Sequence, residues 1–232
     1  MASTCLSGAS FVHGGRAVAR RPRMGPSNGS RVVMAGSAGN WFPGADTPDY
    51  LNKLPASYGF DPLRLGSVPE NLTRFQEGEL INGRWAMLGV AGILGAELLG
   101  QGDWYSAPLP VINGEPATYF GVPIPLNLGE LSAIEFIAIG SVEILRNGAE
   151  GERRIWPGGQ FDPLGLSKGN LEELKTKEIK NGRLAMLAFL GIISQHAANG
   201  LSPLQALGTH LGDPWANNFA TNSVAVPFDF GI

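Results

Sequence analysis

Cysteine is almost absent from this 232-residue chain, and its single Cys5 stands close to the start. A disulfide framework, a thiolate nucleophile and a cysteine metal site are therefore excluded from everything that follows. Histidine is nearly as scarce: His13, His196 and His210 are too scattered for a zinc-type cluster. Acids are missing from the opening stretch, the first of 20 Asp and Glu being Asp46. Lysine and arginine are missing from Trp85 through Leu145 and again after Arg183. No nucleophile with a base and an orienting group can be assembled, and the Glu-x-x-His of di-iron helices is replaced by Glu-x-x-Asn, so an enzyme has the least support.

Residues 1–34 do contain charge, all of one sign: Arg16, Arg20, Arg21, Arg23 and Arg31, with Ser, Gly and Ala between them. That composition reads as an organelle transit peptide, the plainer alternative being a disordered basic tail. It leaves residues 35–232 as the mature domain. With those five arginines set aside, 12 basic residues face 20 acids, a net charge of about −8 that offers nucleic acid no phosphate-binding surface. The 33 Gly and 17 Pro, with little strand patterning, suggest long loops and close helix packing.

Three segments read as long helices, residues 72–100, 128–146 and 171–199. Residues 85–102 carry only Glu97, and 184–201 carry no formal charge with His196 neutral. Each run approaches the ~20 residues that cross a bilayer core. The middle segment, with Glu130, Glu135 and Glu143, is weaker by hydropathy. Charge placement decides more. Basic residues cluster before the first segment (Arg64, Arg74, Arg84), after the second (Arg146, Arg153, Arg154) and before the third (Lys168, Lys175, Lys177, Lys180, Arg183). Three spans put all of these on one side of a membrane and leave residues 101–129 and the tail on the other.

The first and third segments are copies. GELINGRWAMLGVAGIL aligns without a gap on KEIKNGRLAMLAFLGII at an offset of 99 residues, and upstream GFDPLRLG answers QFDPLGLS. Two such helices running in the same direction imply a pseudo-twofold axis along the membrane normal. Gly89, Gly92 and Gly95, matched by Ala188, Gly191 and Ser194, are the expected close crossing. The repeat carries Glu79, Asn82 and Arg84, then Glu178, Asn181 and Arg183. Residues i and i+5 lie about 140° apart on a helix, so a glutamate cannot easily satisfy the arginine of its own copy. Pairing in trans, Glu79 with Arg183 and Glu178 with Arg84, neutralises charges that would each cost several kcal/mol alone in a membrane. The outer oxygen of each glutamate is then expected to be free for a cation. Two readings stay open on the residues alone: an ion-pair lock between helices, or single oxygen ligands for a chlorophyll magnesium, whose four ring nitrogens leave one axial position to fill.

ELINGRWAMLG and EIKNGRLAM, each preceded by FDPL, resemble the light-harvesting chlorophyll a/b-binding family over nearly the whole chain after the transit peptide. WFPGADTPDYL at residues 41–51 resembles its photosystem I antenna branch. The resemblance implies an all-α membrane protein of the chloroplast thylakoid with a stromal N-terminus. Its fold would be three transmembrane helices, the first and third related by pseudo-twofold symmetry, plus a short lumenal amphipathic helix near residues 203–211. The cofactors implied are chlorophyll a, chlorophyll b and carotenoids such as lutein, other xanthophylls or β-carotene. The partners implied are the photosystem I core, neighbouring antenna proteins in a supercomplex, and thylakoid lipids. Carried over position by position, the axial ligands are Glu79, Asn82, Glu135, Glu143, Glu178, Asn181, Gln195 and His210, with Arg84, Arg183 and Arg146 as ion-pair partners and carotenoid head groups near Asp61 and Asp162. Asn82 departs from the histidine that many members carry, a change associated in the family with unusually red chlorophylls. His196 reads as an interfacial or packing residue, Glu97 as snorkelling to the interface, and Trp85, Trp104, Tyr105, Trp156 and Trp215 as mostly interface anchors.

Two alternatives remain. A photoprotective quenching relative would use the same ligands, but such proteins tend to carry acidic clusters on lumenal segments. Here Asp103 and Glu115 in the loop and Asp213 and Asp229 in the tail are sparse. A small membrane transporter would also show intramembrane charges and repeats, but three spans leave little room for alternating access.

Overall fold

The computed structural model describes residues 40–45 and 47–222; the expected transit peptide, residues 1–34, lies outside the described residues. The first long helix, α1, Pro69–Leu98, begins three residues before the sequence pattern placed it, because Pro69 fits the first helical position where no N–H is needed. A single turn, α2, Leu109–Ile112, and a two-stranded hairpin, β1 Thr118–Tyr119 with β2 Val122–Pro123, occupy the following loop. Then come α3, Leu128–Asn147, the short α4, Glu152–Ile155, α5, Leu171–Asn199, and α6, Pro203–Gly212.

Local chemistry sets these boundaries. Asn127 and Glu130 form a reciprocal capping box at the start of α3, each side chain bonded at 3.0 Å to the other's backbone N–H. Asn170 caps α5 by accepting from the Glu173 N–H at 3.3 Å. Gly200, at φ 69°, ends α5 in the left-handed conformation, and the chain turns 68° into α6 behind Pro203. At 1.5 Å per residue α1, α3 and α5 are about 45, 30 and 43 Å long. Even so, among the described residues no single helix is long and apolar enough to cross a membrane by hydropathy; α5 and α6 pass that test only together, as a bent pair. Polar residues interrupt each apolar run: Arg84 and Glu97 on α1, Glu130, Glu135 and Glu143 on α3, and Arg183, Gln195, His196 and Asn199 on α5, although the fold pairs both arginines and Glu143.

The core sits where α1 and α5 cross. A Cβ added to Gly83 would lie 3.1 Å from the Gly182 Cα, and one on Gly182 would lie 3.2 Å from the Gly83 Cα. The crossing is therefore at Gly83 and Gly182, not along Gly89, Gly92 and Gly95. Nothing lies within 4 Å of a Cβ at Gly92, Gly95 or Gly191, and Gly89 meets only the Phe189 ring. The ion pairs fix this height, since Gly83 and Gly182 lie between the glutamate and arginine of each copy. Around it pack Ala56, Leu80, Ile155 and Ile179, two repeat-related pairs, with Trp156 against them. α3 is different: none of its residues is buried, and Phe136 is 81% and Leu145 77% exposed. It is tied to α1 by Arg146, which pairs with Glu77.

Candidate functional site

The two repeat motifs meet in trans. Arg183 Nε donates to Glu79 Oε1 at 2.6 Å, and Arg84 Nε donates to Glu178 Oε1 at 2.7 Å. The second arm of each guanidinium reaches a backbone carbonyl: Arg183 to Ala56 at 2.7 Å and Arg84 to Ile155 at 2.9 Å, acceptors again 99 residues apart. Each pair thus ties together two helices and the segment leading into one of them. Arginine suits this because its fixed fork can serve a carboxylate and a carbonyl at once.

The amides follow the same rule. Asn82 Nδ2 donates to the Gly78 carbonyl at 2.8 Å, and Asn181 Nδ2 to the Lys177 carbonyl at 2.9 Å. With the amino group tied back one turn, each Oδ1 is the outward atom. That is the orientation an oxygen donor to a metal requires, with O and N placed by the hydrogen-bond network. Asn82 and Glu79 line a groove of about 1140 Å³ walled by Phe75, Trp85, Leu88 and Phe189. Glu79 and Arg183 also border a second groove of about 770 Å³, where Asp61 lies among Trp41, Tyr58 and Phe60.

Asp61 and Asp162 anchor the loops before α1 and α5. Asp61 accepts from Tyr50 Oη at 2.9 Å, Gly66 N at 2.8 Å and Leu65 N at 3.0 Å. Partial burial works to raise its pKa, but the Gly66 N–H, the Tyr50 hydroxyl and the Leu65 N–H outweigh it and hold the carboxyl below its ordinary value. Asp162 accepts from Leu166 N at 2.8 Å and Ser167 N at 2.9 Å. Hydrogen bonds from Ser167, side chain first and backbone next, lower its pKa. The turn after each aspartate needs a left-handed residue: Arg64, at φ 53°, in the first copy and Gly165, at φ 65°, in the second. Only the second copy has the residue that adopts it without strain.

The remaining candidates stand apart from this centre. Glu143 receives Arg146 at 2.7 Å on α3. Glu135 on α3 and Gln195 on α5 are exposed and form no side-chain bond among the described residues. His210 on α6 has Nδ1 2.7 Å from the Asn217 carbonyl, which can only accept, so the neutral ring's tautomer there has its proton on Nδ1 and its lone pair on Nε2. His196 packs as expected, its ring 4.4 Å from Tyr105 and 5.2 Å from Trp104, with Nδ1 3.2 Å from the Leu201 carbonyl.

Three expectations need correcting. The outer oxygen of Glu178 is not free, because Trp156 Nε1 donates to Oε2 at 3.0 Å; Trp156 is a partner of the central charge rather than an interface anchor. Glu97 does not reach outward: it accepts from Ser202 Oγ and, at 3.1–3.3 Å, from the Leu204 and Gln205 N–H groups. It caps α6, because the 68° turn brings that helix start back to the end of α1. The sequence also gave no notice of Glu77, which gathers Arg146 and, at 2.7 Å, Arg154. Its position two residues before Glu79 is the only signal that could have pointed to it.

A donor set of this kind is not a metal cage: among the described residues no three His, Cys, Asp or Glu converge on a point that could hold an ion. Single oxygen donors over apolar grooves fit a metal that brings its own equatorial ligands. Residues 47–197 match the model of a family described as chlorophyll A-B binding protein. The chain belongs to that family. With membership come its cofactors, chlorophyll a, chlorophyll b and carotenoids. The chain is 49% identical over 209 residues to chlorophyll a-b binding protein 6, chloroplastic, of Arabidopsis thaliana, covering 87% of this chain and 86% of that protein. It is 51% identical over 186 residues to chlorophyll a-b binding protein 6A, chloroplastic, of Solanum lycopersicum, covering 77% and 76%. To chlorophyll a-b binding protein 4, chloroplastic, of Arabidopsis thaliana it is 39% identical over 213 residues, covering 81% and 79%. The fit to chlorophyll rests on this chain's own atoms: two outward amide oxygens and, in the groove, a Glu79 Oε2 that no described donor reaches.

Proposed function

We propose that this chain is a light-harvesting antenna of the chloroplast thylakoid membrane that passes excitation to photosystem I. In this reading α1, α3 and α5 are the three spans, α1 and α5 are related by a pseudo-twofold axis along the membrane normal, and α6 lies at the lumenal surface. The N-terminus is stromal, the side on which a positive-inside bias puts the basic clusters. The observation that carries the reading is the pair of trans ion pairs at 2.6 and 2.7 Å, because it makes charged helices compatible with a lipid interior. The same contacts hold Glu79 as an anchored carboxylate beside two apolar grooves, and Glu178 as its counterpart on the other helix.

Glu79, Asn82, Glu178 and Asn181 are the proposed axial ligands on the crossed helices, Glu143 and Glu135 those on α3, and Gln195 and His210 those toward the lumen. Arg84, Arg183 and Arg146 neutralise the ligating carboxylates. The groove at Asp61 and the matching turn at Asp162 take carotenoid head groups, whose hydroxyls would meet turns built around those aspartates. Bound chlorophyll supplies light absorption and electronic coupling between rings. The chain's task is positional: it fixes the axial atoms, and so the separations and angles on which coupling depends. The exposed apolar faces of α3 suit a surface covered by pigment, lipid and neighbouring antenna subunits rather than by water. A transporter is disfavoured because the four repeat charges are already paired with one another.

The test is refolding of the chain with chlorophylls and carotenoids, followed by pigment extraction, and reconstitution of the product with antenna-depleted photosystem I. A green complex that raises energy transfer to photosystem I is expected. A pigmented product that docks only on another acceptor would overturn the photosystem I assignment, and a colourless one would overturn the antenna reading.

A further inference from the structure

Glu79 and Glu178 hold the same repeat position, yet their carboxylates end differently. Each receives one arginine through Oε1. Oε2 of Glu178 also receives the Trp156 indole N–H at 3.0 Å. Where the second copy has Trp156, the first has Ser57, whose hydroxyl accepts from the Gly59 N–H at 3.4 Å. Among the described residues no donor reaches Oε2 of Glu79. Behind the indole stands Lys175, 8% exposed, with Nζ 4.4 Å from the ring centroid. A cation over the ring face draws on its electrons and leaves the N–H a stronger donor.

We propose that Trp156 is a positioning residue that makes the two central carboxylates unequal: its N–H fixes the rotation of the Glu178 carboxylate and takes one lone pair of the oxygen left for chlorophyll. The proposal rests on Glu178 being an axial ligand. The terminal torsion of a glutamate is broad, so a single arginine on Oε1 leaves the Glu79 carboxylate free to turn. Donors on both oxygens remove that freedom at Glu178. A charge-assisted hydrogen bond also withdraws density from the accepting oxygen, which lowers its strength as a metal donor. Chemically identical pigments at the two repeat positions would then sit in unequal fields, with the rotation fixed at one and adjustable at the other.

The experiment uses the full pigment-loaded chain and reads chlorophyll content with low-temperature absorption difference spectra. Trp156→Phe keeps an aromatic ring beneath Lys175 and removes the N–H together with part of the indole's bulk, a packing change that the double-variant background controls for. Chlorophyll content should be unchanged while one absorption band is displaced. In a background of Glu178→Val with Arg84→Leu, which deletes the ligand without orphaning its partner, one chlorophyll should be lost, and adding Trp156→Phe should displace nothing more. Lys175→Met leaves the indole in place and should move the same band in the same direction by less, which keeps the test available if Trp156→Phe refolds poorly. A Trp156→Phe or Lys175→Met spectrum identical to the parent, in a chain whose Glu178→Val/Arg84→Leu variant does lose a chlorophyll, would overturn the proposal and leave ligation standing. Full chlorophyll content in Glu178→Val/Arg84→Leu would overturn the ligation reading, and the proposal with it.

Discussion

The α1–α5 crossing and α3 deal with the charges they carry in opposite ways. At the crossing, each charge is neutralised by a residue 94 or 104 positions away in the chain, backbones approach through Gly83 and Gly182, and a small apolar cluster closes around them. On α3 the neutralisation is largely local, Glu143 with Arg146 three residues on, and no side chain is buried. Long-range pairing makes α1 and α5 a scaffold that specifies its own geometry. Among the described residues α3 is held by Arg146 to Glu77 on α1 and by Asn147, which accepts from Arg154 on α4 at 2.8 Å; the rest of its position depends on what surrounds it.

The largest effect that separates the two regions should come from the crossing itself. Gly83→Leu or Gly182→Leu should prevent refolding, since even a Cβ there meets backbone at 3.1–3.2 Å, and Gly83→Ala should cost about 1–3 kcal/mol. Gly140→Ala on α3, where nothing lies within 4 Å, should be neutral or slightly stabilising. Thermal denaturation of the pigmented complexes checks both. Next come the ion pairs. Arg183→Leu should destabilise by about 3 kcal/mol or more, because it strands a carboxylate. Arg84→Leu should cost about 1–2 kcal/mol less, because Glu178 keeps the Trp156 N–H. Equal losses in the two variants would mean that the indole bond carries no weight.

Smaller effects sharpen the comparison between the two copies. Asp61 and Asp162 both have carboxyls below their ordinary value, so each adds stability that is complete above the unfolded-state value near ~3.9 and is lost as pH falls through the lower folded value. Asp61→Asn and Asp162→Asn should therefore each flatten the acid limb of a stability–pH profile below about pH 4. Unchanged acid limbs would remove these turns from the account. On α3, Asn127→Ala should cost about 1 kcal/mol through the lost capping box, without loss of the crossing's pigments. The smallest change in stability is expected at Asn82→His, which should keep its chlorophyll while shifting low-temperature emission to shorter wavelength. An unmoved emission maximum would detach Asn82 from any red-shifted pair.

Much of the crossing was readable from residue spacing. Glu-x-x-Asn-x-Arg repeated at 99 residues, with the 140° between i and i+5, called for partners in trans. What misled was the choice among small residues: Gly89, Gly92 and Gly95 make a plausible stripe. The pairing already implied a crossing midway between glutamate and arginine, close to Gly83. Trp156 looked like an interface anchor because composition says nothing of direction; only the chain's turn after α4 aims the indole at Glu178. Glu97 was misjudged for a similar reason, since its role depends on α6 folding back through 68°. The Glu77 contacts to Arg146 and Arg154 depend on how α3 and α4 approach α1, and no periodicity encodes that.

The central claim is that an arginine from one helix neutralises a pigment-holding carboxylate on the other. It is tested most directly by comparing Arg183→Leu with Glu79→Val/Arg183→Leu in the pigment-loaded chain, reading chlorophyll per polypeptide and melting temperature together. The account predicts that both lose a chlorophyll, and that the double variant melts higher than Arg183→Leu because it no longer strands a charge. An Arg183→Leu complex with full chlorophyll content and an unchanged melting temperature would contradict it.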